Sequence, residues 1–317
     1  MKFKRKLFNV GGMAIRQLKP YHYFRLKDDD RETFPYKLVF MSGREGLGYM
    51  NASLISIYLT WDKLPEIIVV SDGTSLSKFE KEMIRWPRKV DIRCWKDSAA
   101  WFADNGNEDI ARYANNVVYG KKLVSLLHLA GQFPFLYSDT DVLWYGSPEE
   151  PDIKGSVPFI KMGQDVDKGF YTDELIVHLG EEKCVANTPF NSGLMYLHGD
   201  FSGYPKWKEL CQYLSTRQAV RGQDFSEQTA FAILNNYFNT ESWWGPDEIL
   251  IRTDDEFQLG YTGKYSPGIM ARHYVHTRRT AFWRDFIYMC GGKRAKPDTF
   301  YKKQYDQTIL TGTQKTA

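Results

Sequence analysis

The chain has 317 residues, of which 43% are hydrophobic and 26% are charged, as in ordinary soluble globular proteins. Its net charge of +3 is too small to predict a nucleic acid as a partner. Four scattered cysteines without a Cys-x-x-Cys pair exclude a zinc ribbon and a thioredoxin-like motif, and they are typical of a reducing compartment.

Both ends of the chain are basic, and the segment between them has the composition of one folded domain. We predict a basic N-terminal arm at residues 1–34, one domain at residues 35–290 and a basic C-terminal tail at residues 291–317. No apolar run reaches the ~18 residues that span a bilayer, and no apolar signal-peptide segment follows the basic start. The sequence therefore predicts a cytoplasmic protein. Its ends are either solvated tails or contact anionic lipids, which would make it peripheral on the cytosolic membrane face.

Strands and helices alternate over the first half of the chain. Short apolar runs that end in turn residues predict strands, and apolar residues at helical spacing predict the helices between them. In chain order, the predicted elements are strand 38–41, helix 50–61, strand 67–70, helix 76–83, strand 90–94, helix 108–131 and strand 133–137. This alternation predicts an α/β fold with an open, mainly parallel twisted sheet and helices on both faces. Ligands of such folds bind beyond the carboxyl ends of the strands.

The second half of the chain is less regular. Its predicted strands are 193–197, 248–251 and 272–276, and its predicted helices are 207–214 and 225–235. We find no internal repeat and no low-complexity linker in the sequence. These observations favour a single domain.

Two aspartates that directly follow the predicted strand 133–137 are the strongest functional signal. Asp139 and Asp141 are two residues apart, so their side chains point to the same side of an extended chain. They stand where a strand of a parallel sheet opens into the ligand crevice. Carboxylate oxygens are preferred ligands of Mg²⁺ and Mn²⁺, which also bind the oxygens of a diphosphate. The sequence therefore predicts a metal site for a phosphorylated ligand.

Two other Asp-x-Asp pairs compete with this one. Asp28 and Asp30 lie in a charged stretch without a strand before them. Asp165 and Asp167 lie between glycines, as is typical of a loop. The pair that begins at Asp139 is the one with an apolar strand before it and an apolar segment after it.

Four ordered segments resemble the glycogenin-like and bacterial lipopolysaccharide galactosyltransferases. They are Phe135–Trp144 around the Asp-x-Asp pair, Asn191–Met195, the pair Glu227-Gln228, and His273–Val275 with Trp283. The resemblance spans roughly residues 36–285. It implies a GT-A fold, a nucleotide-diphosphate sugar donor, above all a UDP-sugar, and Mn²⁺ or Mg²⁺ as cofactor. The implied activity transfers a hexose to a glycan or glycolipid acceptor, as in polysaccharide biosynthesis, with retention of the anomeric configuration.

The resemblance also implies roles for individual residues. The metal ligands would be Asp139, Asp141 and His273, and His276 would replace His273 if the register is shifted. Lys122 matches a basic position, one helix upstream of the Asp-x-Asp pair, that contacts the phosphate or the sugar of the donor. Its neighbour Lys121 is the alternative for this role, and an ordinary lysine of a helix surface is the other interpretation.

The remaining matches depart from the family pattern. Arg278 or Arg279 stands where the family has a diphosphate-binding lysine, and a guanidinium suits phosphate. The segment around them is longer than in the family and lacks its proline. Glu227 replaces the aspartate of the family's Asp-Gln pair. With Gln228, which would steady the sugar, and Asp224, which could act as a base, it completes the catalytic candidates.

Polar residues at two turns and on one strand complete the predicted donor site. A glycine in the turn after the first strand lets the backbone approach a nucleoside closely, and a tight turn without a ligand is the alternative. An aspartate after the second strand would bind ribose or uracil, or cap the helix that begins near Ser75. These donor-binding candidates are Ser42, Gly43, Arg44, Asp72, Asn191 and Ser192.

Two other functions fit part of the sequence. A nucleotidyltransferase of similar fold also uses carboxylates at strand ends, but it usually has a glycine-rich basic signature after the first strand. The turn Gly43–Gly46 matches that signature poorly. A non-catalytic carbohydrate- or membrane-binding module is the second alternative, and the complete set of predicted metal ligands argues against it.

Overall fold

The computed structural model describes residues 20–153, 157–165, 171–182, 189–218, 225–238, 243–251, 269–275 and 279–290. Within them the strands are β1 Lys37–Ser42, β2 Ile67–Ser71, β3 Val90–Cys94, β4 Phe135–Ser138, β5 Val142–Trp144, β6 Phe159–Gln164, β7 Phe190–His198, β8 Ile249–Ile251 and β9 Ala271–His273. The helices are α1 Leu47–Thr60, α2 Leu76–Glu82, α3 Trp95–Asp104, α4 Glu108–Asn116, α5 Val118–Ala130, α6 Asp173–Leu179, α7 Trp207–Ser215, α8 Ser226–Phe238 and α9 Arg279–Cys290.

Six strands form the central sheet, in the order β3-β2-β1-β4-β7-β6. The strands β3, β2, β1 and β4 are parallel, and β7 runs antiparallel to both β4 and β6. Five strands of this sheet therefore run in one direction, which confirms the predicted mainly parallel α/β sheet. A second sheet has the order β5-β9-β8, with β9 antiparallel to β5 and parallel to β8. The carboxyl ends of β1, β2 and β4 share one edge of the central sheet.

Helices cover both faces of the central sheet. Successive strand residues alternate between the two faces, so Val39, Ile68 and Tyr137 pack against α3, α4, α5, α7 and α8. Leu38 and Leu136, on the opposite face, pack with α1 and the segments that follow it. Because both faces are covered, these strands are continuous apolar runs, as is typical of parallel sheets.

The predicted helix 108–131 is two helices, and this prediction was wrong at its centre. Val117 has an extended backbone, with φ −129° and ψ 132°, and separates α4 from α5. A Cβ atom built on Gly120 would lie 2.6 Å from the carbonyl oxygen of Tyr113. The two helices therefore approach each other at a glycine, and this close contact leaves no room for a side chain. The helical spacing of apolar residues continues across Val117, so the sequence pattern does not reveal that the helix ends there.

The sequence did not predict α3, β5, β6, α6 and α9. Helix α3 starts directly after β3 without a loop, and a capping box between Cys94 and Asp97 closes its first turn. Strand β5 has three residues, and its place is set by pairing with β9, which is more than a hundred residues away in the chain. Pairing between such distant segments leaves no periodic pattern of apolar residues in a short stretch of sequence.

Residues 20–34, the described part of the predicted N-terminal arm, pack against the domain. Phe34 is buried, and the ring centroids of Phe24 and Phe286 are 5.8 Å apart. Tyr21 contacts Trp283 of α9 at a centroid distance of 6.1 Å. Among the described helices, none combines the length and the apolar composition that crossing a bilayer requires.

Candidate functional site

The three predicted metal ligands come together beyond the carboxyl end of β4. The backbone N–H of Asp139 donates to the carbonyl of Gly193 on β7 at 2.7 Å. Val142 pairs with His273 across the β5–β9 ladder, and the N–H of Tyr274 donates to the carbonyl of Asp141 at 2.9 Å. The small second sheet therefore carries the distant histidine to the two aspartates.

The ligand atoms of these residues form a compact group. One atom each from Asp139, Asp141 and His273 lie within 4.8 Å of one another. The Nε2 atom of His273 is 3.3 Å from Oδ1 of Asp141 and 3.5 Å from Oδ2 of Asp139. Asp141 and His273 are buried, whereas the side chain of Asp139 is 28% exposed. The group therefore opens to solvent on the side of Asp139.

Asn191 fixes the orientation of the histidine ring. Its Oδ1 atom accepts the N–H of Gly193 at 2.8 Å and lies 3.0 Å from Nδ1 of His273. Its Nδ2 atom donates to Oδ2 of Asp165 at 3.4 Å. Because Oδ1 of an amide only accepts, Nδ1 of His273 carries the ring proton. Nε2 faces the two aspartates, so in the neutral ring it would offer its lone pair to a cation held between them, as in a histidine that binds a metal.

Two carboxylates and one imidazole nitrogen fit a divalent cation. Burial lowers the pKa of His273, but the hydrogen bond and charge of Asp141 and the charge of Asp139 outweigh burial, so the net pKa is raised. The same negative potential attracts a cation. Carboxylate oxygens suit Mg²⁺ and Mn²⁺, and the imidazole nitrogen favours Mn²⁺ of the two.

Gly193 lies directly against His273, which leads to a testable prediction. A Cβ atom at this position would be 2.2 Å from Cε1 and 2.3 Å from Nδ1 of the ring, so the ring would have to move. We expect Gly193→Ala to weaken Mn²⁺ binding by about 10- to 100-fold, the usual cost of disturbing the residues behind metal ligands. Electron paramagnetic resonance of free Mn²⁺ measures this affinity. Gly203→Ala is the matched control, because a Cβ atom there meets nothing within 4 Å. Equal affinity in the two variants would contradict the assignment of His273.

A buried lysine stands beside the metal candidates. The Nζ atom of Lys122 is 3.4 Å from Oδ1 of Asp139 and 3.2 Å from Oε1 of Glu227. It also donates to the carbonyl of Ser192 at 2.8 Å and to its Oγ at 3.1 Å. Lys121 instead donates to the carbonyl of Asp72 at 2.9 Å. Of the two candidate lysines, Lys122 is the one that reaches the Asp-x-Asp pair.

Opposite charges balance each other in this buried group. Burial lowers the pKa of Lys122, but the charges of Asp139 and Glu227 outweigh it and raise the net pKa. Burial raises the pKa of Glu227, and Lys122 opposes part of that shift. Tyr137 donates a hydrogen bond to Oδ1 of Asp139, and its pKa is well above the usual value, first because of burial and then because of that carboxylate. Lys122 is therefore a protonated cation at neutral pH.

The catalytic candidates at the start of α8 face β7. The Oγ atom of Ser192 donates to Oε2 of Glu227 at 3.2 Å. The N–H of Ser192 donates to Oε1 of Gln228 at 3.3 Å. Both α8 side chains are buried. Asp224 lies outside the described residues.

The turns after β1 and β2 touch each other. A Cβ atom on Gly43 would lie 2.0 Å from Oδ2 of Asp72, so a larger residue in the first turn would displace the Asp72 carboxylate. Oδ1 of Asp72 accepts the N–H of Thr74 at 3.1 Å, and the N–H of Arg44 donates to Oγ1 of Thr74 at 3.0 Å. Asp72 therefore closes its own turn, and Ser75 is the residue before α2.

The first turn also reaches the Asp-x-Asp pair. A Cβ atom on Gly46 would be 3.0 Å from Oγ of Ser42 and 3.4 Å from Oγ1 of Thr140. Thr140 is the residue between the two aspartates. The predicted nucleoside end and the predicted metal end of the donor site are therefore adjacent.

The competing Asp-x-Asp pairs are not part of the ligand group, although Asp165 directly follows β6, whereas the sequence predicts a loop there. Asp28 forms an exposed ion pair with Arg85 at 3.1 Å. Asp165 is buried behind Asn191, and Asp167 lies outside the described residues. His276 and Arg278 also lie outside them. Arg279 is the first residue of α9, and its side chain is not among those described.

One functional residue carried no sequence signal. Asp285 on α9 is buried, and its Oδ2 atom accepts from Arg272 at 3.2 Å and from Tyr274 at 2.7 Å. These two residues flank His273 in the chain. Asp285 therefore anchors the strand that carries the histidine, and a lone aspartate in an amphipathic helix does not reveal such a contact.

Known proteins resemble this chain in their solved structures but not in their sequences. The chain matches no known family model and no curated protein. It resembles the apo form of the glycosyltransferase GlyE of Streptococcus pneumoniae TIGR4, with 12% identity, 87% of this chain and 64% of that chain covered, and a TM-score of 0.48. It resembles mouse xyloside xylosyltransferase 1, with 12% identity, coverage of 75% and 97%, and a TM-score of 0.44. An active-site mutant of LgtC matches with 14% identity, coverage of 84% and 99%, and a TM-score of 0.46.

GlyE is described as a glycosyltransferase and the mouse protein as a xylosyltransferase. The chain spans less than two thirds of the length of GlyE. Because each TM-score is below 0.5, these matches do not assign an activity to this chain.

Proposed function

We propose that the protein is a metal-dependent glycosyltransferase that moves a hexose from a UDP-sugar to a glycan or glycolipid acceptor. The observation that supports this proposal most strongly is the group of Asp139, Asp141 and His273 beside the buried cation of Lys122. Transfer from a nucleotide-diphosphate sugar releases a nucleoside diphosphate, and its negative charge must be neutralised as the bond to the sugar breaks.

Each part of the site would serve this reaction in a different way. A divalent cation held by Asp139, Asp141 and His273 would supply Lewis-acid stabilisation of the diphosphate. Lys122 would add a fixed positive charge on the same side, and Arg278 or Arg279 would bind the departing phosphates with a guanidinium.

The nucleoside and the sugar would lie at opposite ends of the metal group. The turn after β1 comes close to Thr140 at Gly46 and touches the turn of Asp72 at Gly43, and the backbone groups of these two turns would bind the nucleoside. Ser192 and Gln228 lie on the other side, next to Lys122 and Glu227, and would bind the sugar.

The burial of Glu227 supports retention of the anomeric configuration. Its carboxylate oxygens contact Lys122 and Ser192, and its side chain is buried. A general base must reach the hydroxyl that attacks, and a carboxylate held in this way is poorly placed for a mobile acceptor. In a retaining reaction the leaving diphosphate can take the acceptor proton on the same face.

The stereochemistry of the product tests this assignment. We expect an α-linked donor to give an α-linked product in NMR spectra of the fresh reaction mixture. Glu227→Gln should then slow transfer modestly, whereas loss of an essential general base costs about 10²- to 10⁴-fold. A β-linked product would refute retention. It would also make Glu227 or Asp224 the base, and kcat/KM of Glu227→Gln and Asp224→Asn would decide between them.

Donor hydrolysis with and without Mn²⁺ tests the proposed function as a whole. We expect the protein to cleave one of UDP-glucose, UDP-galactose or UDP-N-acetylglucosamine slowly to UDP and free sugar, and chelation of the metal to stop the reaction. Release of pyrophosphate from UTP and a sugar 1-phosphate would instead identify a nucleotidyltransferase. The protein would be a non-catalytic binding module if it shows no turnover and if UDP with Mn²⁺ does not raise its melting temperature.

The basic ends of the chain lie outside the described residues. Their contact with a membrane therefore stays a prediction, and the glycan or glycolipid acceptor is proposed from the sequence resemblance alone.

A further inference from the structure

A second cleft lies at the end of the sheet opposite to the metal group. Gly131 and Gln132 precede β4, whereas Asp139 follows it, so the two sites are at opposite ends of this strand. Asp200 and Ser202 follow the carboxyl end of β7, which is antiparallel to β4 and pairs Leu197 with Phe135. The cleft has a volume of about 340 Å³, within the range of small-molecule sites.

A tryptophan held in a fixed orientation forms one wall of the cleft. The indole of Trp101 stacks on the ring of His128, with centroids 4.7 Å apart and an interplanar angle of 19°. His128 is itself held at both nitrogens, by Ser98 at 3.0 Å and by Gln132 at 2.8 Å. Trp101 nevertheless remains 44% exposed. A large aromatic side chain that is both exposed and rigid costs little entropy when a ligand stacks on it.

The rest of the cleft combines an apolar floor with a polar rim. Buried Phe102, Leu127 and Phe201 form the floor. Trp207 lines the cleft and is fixed by a hydrogen bond from its indole N–H to Oδ1 of Asn107 at 3.2 Å. Few polar groups around an apolar surface are typical of a ligand site.

The chemistry of the rim selects an uncharged ligand with many hydroxyl groups. The rim consists of the Gln132 amide, the Ser202 hydroxyl and the Asp200 carboxylate. Ser202 already donates to Asp200 from its N–H and its Oγ, and Gln132 already bonds His128 and Arg93. Because hydroxyl, amide and carboxylate oxygens each accept more than one hydrogen bond, these groups keep acceptor capacity for a ligand. The carboxylate repels phosphates and other anions, and the described residues that line the cleft include no lysine and no arginine. The apolar face of a pyranose ring suits an indole, and its hydroxyl groups suit the rim.

We propose that this cleft binds a neutral pyranose unit of a glycan by stacking on Trp101 and hydrogen bonding to its rim. The site is separate from the proposed donor site, and binding there needs neither metal nor nucleotide. If the proposed glycosyltransferase activity is correct, the cleft would hold an acceptor glycan at a distance from its reacting end.

Isothermal titration calorimetry on the full chain, without metal or nucleotide, tests the proposal. The probes are three neutral oligosaccharides, namely cellohexaose, maltohexaose and hexa-N-acetylchitohexaose. We expect at least one of them to bind, and Trp101→Ala to weaken that binding by about tenfold or more, as for a central aromatic anchor. Trp101→Phe should restore part of the affinity because it keeps an aromatic surface. Thermal unfolding of each variant checks that the fold is intact.

Two control variants distinguish this cleft from other surfaces. Tyr237→Ala removes another aromatic side chain of similar exposure, 49%, that does not line the cleft, and it should leave binding unchanged. Asp141→Asn should also leave binding unchanged, even though it is expected to abolish transfer. Binding that depends on Asp141 and not on Trp101 would place the glycan in the donor crevice and overturn the proposal. Failure of all three probes to bind would overturn the proposal too. So would light scattering that shows a dimer for the wild type and a monomer for Trp101→Ala, because Trp101 would then be a dimer contact.

Discussion

Replacing Asp141 with asparagine is expected to abolish sugar transfer while the fold stays intact. Asparagine has the same shape but lacks the charge that a divalent cation needs. Asp141 is buried and lies 3.3 Å from Nε2 of His273, so its charge is directed into the ligand group. Asp141 and Asp139 are two negative charges in one group, so removal of one of them also removes their mutual repulsion. We therefore expect a small change in stability and a large change in activity.

The measurement is kcat/KM with saturating Mn²⁺, together with the Mn²⁺ affinity and the circular dichroism spectrum. If the variant keeps more than about a tenth of the wild-type value, which is less than about 1.4 kcal/mol of lost transition-state stabilisation, the role of Asp141 is wrong. Asp28→Asn is the control from a competing Asp-x-Asp pair, and it should have no effect because Asp28 is exposed. Asp165→Asn should be much milder than Asp141→Asn, since Asp165 acts through Asn191. A greater loss in Asp165→Asn would mean that the wrong pair was assigned.

The order of the strands and helices in the first half could be predicted because each element carries its own local signal. Continuous apolar runs such as Ile67–Ser71 end in turn residues, and a parallel sheet covered on both faces requires such runs. The position of Asp139 after β4 followed from the same reasoning, because the carboxyl ends of parallel strands form the ligand edge. These parts of the site depend on residues that are close in sequence.

The contacts between distant segments could not be predicted. The choice between Lys121 and Lys122 depends on how α5 is rotated against the sheet, since both lysines fit a helix surface in the sequence. The anchoring of β9 by Asp285 depends on the packing of α9. The position of His273 was implied by a resemblance, and its physical cause, the pairing of β5 with β9, has no local signal.

Removal of the buried cation is the second large effect that we expect. Lys122→Met keeps the apolar stem of the side chain and removes its charge, which leaves Glu227 buried without its partner. Breaking a buried ion pair from one side costs about 3 to 5 kcal/mol. We therefore expect the free energy of unfolding, measured with urea at neutral pH, to fall by about this amount. We also expect transfer to be lost, because Lys122 would contact the donor.

A second substitution separates the electrostatic cause from lost packing. Glu227→Gln in the Lys122→Met background removes the unpaired charge and keeps the shape, so the double variant should be more stable than Lys122→Met alone. The pH dependence gives an independent check. Burial raises the pKa of Glu227 above its usual 4.5, and loss of Lys122, which lowers that pKa in the wild type, should raise it further.

A raised carboxyl pKa means that the folded protein binds this proton more tightly than the unfolded chain does. In Lys122→Met the resulting stabilisation is fully present below the usual pKa and is lost as the pH rises through the folded-state value. The stability difference between the double and the single variant should therefore shrink as the pH is lowered from neutral toward 4.5. A difference that does not change with pH would mean that Glu227 is not the unpaired charge. Equal stability of the two variants at neutral pH would show that Lys122 contributes through packing alone.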